Sequence, residues 1–134
     1  MVRADDATLV LDSGAVIGLA RGDRRLRALI SHAHRMGVSI RVPMVVLAET
    51  ARGNGPRDAA LNLVLHSMAP HRPLDEPTAR LAGGLLATAR SNATLDALVA
   101  AEAIHCRPSV VLTADPDDLG RLLAEQPGVG VERV

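Results

Sequence analysis

Asp12, Glu49, Asp96 and Asp115 are the residues of this chain best suited to chemistry. They lie far apart in sequence. Each stands where a helix is expected to begin, or inside an otherwise apolar helix. Carboxylates are hard oxygen donors, so four of them drawn together would form a pocket for a divalent cation. An open site of that kind suits phosphodiester chemistry.

Each acid also has a plain structural reading. Asp12 ends the apolar run Thr8-Leu9-Val10-Leu11 and can cap the helix that follows. The same position is the C-terminal end of a buried strand, where open α/β sheets bind ligands. Asp115 can cap a helix ahead of Pro116, with Asp117 and Asp118 in its first turn. Asp96 falls in a first turn if Thr94 is the cap, where an acid gains about 0.3–1 kcal/mol from the helix dipole. Glu49 follows Val45, Val46, Leu47 and Ala48. It either reaches solvent along a narrow polar edge or faces a cation-holding cavity, because an unpaired buried carboxylate is costly. Two of the acids follow strands and two lie on the helices between, so parallel topology can gather them at one end of a sheet. Such a cluster repels itself, and a bound cation would relieve the repulsion and stabilise the fold.

The elements that must position these acids alternate between strand and helix. Strands are expected at 8–11, 38–42, 109–113 and 128–132, with 69–74 as a further short one that Pro70 and Pro73 make either an edge strand or an extended loop. Helices are expected at 15–20, 23–36, from Met44 to about Arg52, at 57–68, from Asp75-Glu76-Pro77 onward, at 94–105, and from Asp115 to about Glu125. Gly83-Gly84 weakens the fifth of these. The alternation predicts an α/β domain with a mostly parallel sheet covered on both faces. With no repeat or linker, residues 1–134 read as a single domain.

Composition narrows the function. Fifteen basic residues, all Arg, balance fifteen acids. No global basic field draws in nucleic acid, so any such contact must come from local Arg clusters. The absence of Lys removes a phosphate-binding P-loop and Schiff-base chemistry. With no Phe, Trp or Tyr, no base can stack on an aromatic ring of this chain. Cys106 is alone, and neither His32/His34 nor His105-Cys106 has zinc-site spacing. Met1 to Asp6 lack the pattern of a signal peptide and no apolar run reaches spanning length, so a soluble cytoplasmic protein is expected. Arg24, Arg25 and Arg27 form a basic run after Arg21 that reads first as a solvated helix face, and Arg52 and Arg57 flank a Gly-rich loop near Glu49; Arg21, Arg24, Arg25, Arg52 and Arg57 are the candidates for phosphate, substrate or partner contacts. Ser13 and Thr113 stand beside the acids with hydroxyls able to hydrogen-bond a carboxylate.

With these residues in place, the chain resembles a PIN-domain ribonuclease, most closely the VapC-type toxins of toxin–antitoxin pairs. Leu9 to Ala15 is similar to the first motif of that family, whose Asp ends the first strand. Val42-Pro43 through Glu49 resembles the second, Thr94 to Ala101 the third, and Val111 to Leu119 the fourth, with Thr113 in its hydroxyl position. Leu119 stands where the family usually has Phe. The resemblance implies a three-layer α/β/α fold. It implies Mg²⁺ or Mn²⁺ held by Asp12, Glu49, Asp96 and Asp115 with Asp118 close by, and metal-dependent endonuclease cleavage of RNA. It further implies a homodimer and a cognate antitoxin protein. A carboxylate, Asp118 among them, could orient the attacking water. The alternative is a non-catalytic binding module whose acids are caps and whose ligand is a partner protein. A phosphatase with Asp12 as nucleophile is disfavoured, because Gly14 stands where a second Asp is expected and Lys is absent.

Overall fold

Four parallel strands form the centre of the molecule, in the order β2-β1-β3-β4. They are β1 (Thr8–Leu11), β2 (Ile40–Arg41), β3 (Ser109–Thr113) and β4 (Val129–Arg133). The structure is a computed structural model and describes residues 7–68 and 71–134. The expectation for Met1 to Asp6 lies outside the described residues.

The helices are α1 (Ser13–Ala20), α2 (Arg24–Arg35), α3 (Met44–Thr50), α4 (Gly55–His66), α5 (Glu76–Ala89), α6 (Thr94–His105) and α7 (Pro116–Leu122). β1 and β3 occupy the middle of the sheet and pair in register, Leu9 with Val110 and Leu11 with Leu112. Side chains alternate along a strand. Leu9, Leu11, Val110 and Leu112 therefore share one face, and Val10 and Val111 the other. All six are buried, so both faces are covered, as an all-parallel sheet requires.

Two helices show how composition solves the packing. α2 buries Leu26, Ile30 and Ala33, one stripe at helical spacing, and leaves its arginines in solvent. α6 is apolar nearly all round and buries Ala97, Val99, Ala100, Ala101, Ala103 and Ile104. It packs against α5 and against β1 and β3. Four alanines among those six let α6 lie close to its neighbours without any large ring.

The short strand expected over 69–74 does not form where it can be seen. Residues 71–74 form no strand, which leaves the loop alternative, and residues 69 and 70 lie outside the described residues. Pro73 offers no N–H for a ladder. The second strand is shorter than the expected 38–42, pairing only at Ile40 and Arg41. α5 runs unbroken through Gly83-Gly84, because Asp75 caps its start and Ala82 and Leu85 anchor its middle in the core.

Candidate active site

Asp12 closes β1 and opens α1. Its Oδ1 accepts a hydrogen bond from Ser13 N at 2.8 Å, and its Oδ2 accepts one from Thr113 Oγ1 at 2.9 Å. Thr113 ends β3 and is fully buried, and Asp12 is 7% exposed. The Thr113 hydroxyl also lies 3.2 Å from the Asp115 carbonyl oxygen, and Asp115 N donates to it at 3.1 Å. One hydroxyl hydrogen serves one acceptor at a time, and the shorter contact is to Asp12. At Ser13 the bond to Asp12 is made by the backbone amide rather than by the hydroxyl.

The remaining acids come from three helices. Glu49 lies in the last turn of α3 and is partly buried. Asp96 lies in the first turn of α6, whose N-cap is Ala93 rather than the expected Thr94. No side chain caps that helix. Asp115 caps α7, accepting from Asp117 N at 3.3 Å. Asp118, half-buried in the same turn, accepts a hydrogen bond from Arg121 at 3.2 Å.

These carboxylates sense one another. Burial pushes the Asp96 carboxyl up to about 6, and the negative charges of Asp12, Asp118 and Asp115 push the same way. Burial also raises Glu49, again with the charges of Asp12 and Asp96 adding to it. The fold thus brings Asp12, Glu49, Asp96, Asp115 and Asp118 into one electrostatic neighbourhood at the C-terminal end of β1 and β3. Among the described residues, no three His, Cys, Asp or Glu side chains are gathered tightly enough to ligate one ion as they stand. The donor set suits a hard divalent cation in chemistry and charge. Side-chain rotation would have to complete the coordination.

Gly14 sets the distance between the two halves of this neighbourhood. A Cβ at Gly14 would meet Ala114 Cβ at 2.5 Å and Ala114 N at 3.0 Å. The first turn of α1 therefore rests directly on the link between β3 and α7, which holds Asp12 near Asp115.

The expected arginines divide into two groups. Arg21, Arg52 and Arg57 line one cleft with Glu49. Arg24 and Arg25 are exposed in the first turn of α2 and do not line it. Asp58, 7% exposed, had no role in the sequence-based reading. Its carboxylate accepts from Arg52 N at 3.1 Å and Gly53 N at 3.0 Å, pinning the loop that carries Arg52. The signal was present: an acid in the first turn of a helix, just after a Gly-Asn-Gly loop, can reach back to backbone amides.

No family model matches the sequence, and no curated protein matches it either. Solved structures do match. A VapBC2 structure from Rickettsia felis, bound to a DNA fragment from its promoter, superposes with a TM-score of 0.76 at 15% identity, over 95% of this chain and 98% of that one. The chain has the PIN-like fold of VapC-type toxins. A DNA-bound VapBC structure from Salmonella typhimurium gives a TM-score of 0.67 at 18% identity, over 95% of this chain and 98% of that one. VapBC-5 of Mycobacterium tuberculosis, from a family of toxin-antitoxin systems, gives 0.57 at 26% identity, over 96% and 99%. Within this PIN-like frame the acids stand at the sheet end where open parallel sheets bind ligands. Among the described residues no helix is long and apolar enough to cross a membrane.

Proposed function

We propose that this chain is a divalent-metal-dependent endoribonuclease and the toxin of a toxin–antitoxin pair. The observation that carries the reading is Asp96. A half-buried carboxyl raised to about 6 by burial and by Asp12, Asp118 and Asp115 belongs to a site built to receive positive charge. The likeness to VapBC structures supports the toxin role and a cognate antitoxin protein as partner. The homodimer implied by the family belongs to the same proposal.

Asp12 and Asp96 would hold Mg²⁺ or Mn²⁺, joined by Glu49 and Asp115. Bound there, the ion would supply an acidified water and neutralise charge on the phosphoryl oxygens. Thr113 fixes the Asp12 carboxylate through its 2.9 Å hydrogen bond, so one ligand is oriented before any ion arrives. Asp118, half-buried and close enough to Asp96 for their charges to interact, would orient an incoming water. Ser13 contributes through its amide.

The test is Asp96→Asn, assayed for Mn²⁺-dependent cleavage of single-stranded RNA with the fold checked by circular dichroism. Loss of cleavage with the fold retained is expected; full activity would remove the assignment. A second reading, a non-catalytic module that binds a partner protein, is favoured by the absence of a ready three-ligand group among the described residues. Calorimetric titration with Mn²⁺ separates the two. Site-specific heat that Asp96→Asn abolishes supports the nuclease, and no heat with no thermal shift supports the module.

A further inference from the structure

The cleft beside Glu49 gathers three cations, none of them in an ion pair with an acidic side chain among the described residues. Arg21 comes from the end of α1, Arg52 from the link between α3 and α4, and Arg57 from the first turn of α4. The ion pairs found among the described residues are Arg80–Glu76 and Arg121–Asp118, and neither involves this cleft. Asp58 lines the cleft as well, but its buried carboxylate is turned to the backbone amides of Arg52 and Gly53. It fixes the loop rather than pairing with a guanidinium. In a chain whose formal net charge is zero, this concentration of positive charge is local.

We propose that this cleft is a phosphate-binding subsite that holds the RNA strand beside the scissile bond, with Arg21, Arg52 and Arg57 as its cations. The inference rests on the nuclease reading for the nature of the strand. Glu49 supplies the continuity, because it lines the cleft from the last turn of α3 and is itself one of the candidate-site acids. A polyanion lying in the cleft therefore reaches the acids at Glu49 without leaving the protein surface. Guanidinium groups suit phosphate through paired N–H donors. The nuclease reading favours an RNA strand over an acidic peptide, because a divalent ion held by the acids would receive the next phosphate of a strand continuing from the cleft.

The experiment is equilibrium binding of a mixed-sequence single-stranded RNA to the full chain in EDTA, repeated across NaCl concentrations. For single strands the slope of log affinity against log salt changes by about 0.7 per phosphate contact, so Arg21→Gln/Arg57→Gln should weaken binding and flatten the slope by about 1.4. A charge-matched variant on exposed surface outside the cleft, Arg35→Gln/Arg80→Gln, should leave the slope as it is. Arg52 is kept out of the first variant because its Nη1 donates to Ala51 O at 2.9 Å at the end of α3, so its loss could unsettle that helix. An unchanged slope in the cleft variant, or an equal loss in both variants, overturns the proposal. So does tight binding of polyglutamate that the cleft substitutions abolish while RNA binding is spared, which assigns the cleft to an acidic peptide. Binding is read without metal, so a chain that never cleaves RNA yet shows the cleft-dependent slope loses the nuclease reading alone.

Discussion

Thr113 Oγ1 stands 2.9 Å from Asp12 Oδ2 and joins the ends of β1 and β3 across 101 sequence positions. Both residues are buried, so the bond is screened little by water and leaves the Asp12 carboxylate one defined orientation. Removing such a donor leaves an under-satisfied buried carboxylate, at a cost of about 1–3 kcal/mol.

Thr113→Val keeps the side-chain shape and deletes that donor. It should lower stability by about 1–3 kcal/mol and weaken Mn²⁺ binding by about tenfold or more. Urea unfolding and calorimetry measure the two effects. Thr113→Ser should recover most of the metal affinity, and equal loss in both variants would show that the methyl, not the hydroxyl, matters.

Asp96 gives a stability prediction with a definite sign. Its folded carboxyl titrates near about 6 against an ordinary value of 3.8. Between those limits the folded state holds a proton that the unfolded chain releases. The group therefore lowers stability progressively as pH rises through that window. Asp96→Asn should thus stabilise the protein in EDTA at about pH 7.5, by on the order of 1 kcal/mol once solvent screening of this half-exposed group is allowed for. The gain should vanish near about pH 4. Circular dichroism is the probe, since the chain has no Trp, Tyr or Phe to fluoresce.

The same titration should govern the proposed metal binding. A ligating carboxylate must lose its proton, so Mn²⁺ affinity should rise as pH increases through about 6 and level off above it. Calorimetry in buffers of different ionisation enthalpy should detect proton release upon binding near pH 6 and little near about pH 8. Affinity that is flat across this range would exclude Asp96 as a ligand.

Gly14→Ala should be costly for a reason peculiar to its place. The added Cβ would press on the Cβ and backbone nitrogen of Ala114 at 2.5 and 3.0 Å, and backbone cannot step aside as a flexible side chain can. Overpacking of this kind costs about 1–3 kcal/mol. Because the displaced segment carries Asp115, cleavage should fall by more than the loss of folded protein explains. Activity per folded molecule, with folding measured by circular dichroism, is the readout.

Asp58→Ala should destabilise the protein by about 1–3 kcal/mol, because the amides of Arg52 and Gly53 lose their acceptor. Hydrogen exchange should quicken at those two amides first. Asp58→Asn retains one carbonyl oxygen and should fall between the two.

Much of this was legible before any coordinates. Asp12, Glu49, Asp96 and Asp115 stood out as candidates because each ends or interrupts an apolar pattern, and an apolar helix such as residues 94–105 announces its own burial. β1, β3 and α6 lie where their patterns placed them. Other features were not readable. The failure of residues 71–74 to pair depends on what the sheet edge offers, not on local preference. The division of the arginines, with Arg21 in the cleft and Arg24 outside it, follows from how α1, α3 and α4 pack, which no spacing encodes. The Ser13 amide contact and the close approach of Gly14 to Ala114 are details of tertiary geometry.

The sheet order has a consequence for how the protein is made. β1 lies between β2 and β3, and its partner on one side emerges from the ribosome about a hundred residues later. Such distant pairing folds slowly and cannot begin early. Asp12 gains its Thr113 partner only after α6 and β3 have been synthesised. If the chain is the nuclease proposed above, a growing chain cannot cut the RNA around it until β3 has emerged, which leaves an interval in which a neutralising partner could already be waiting.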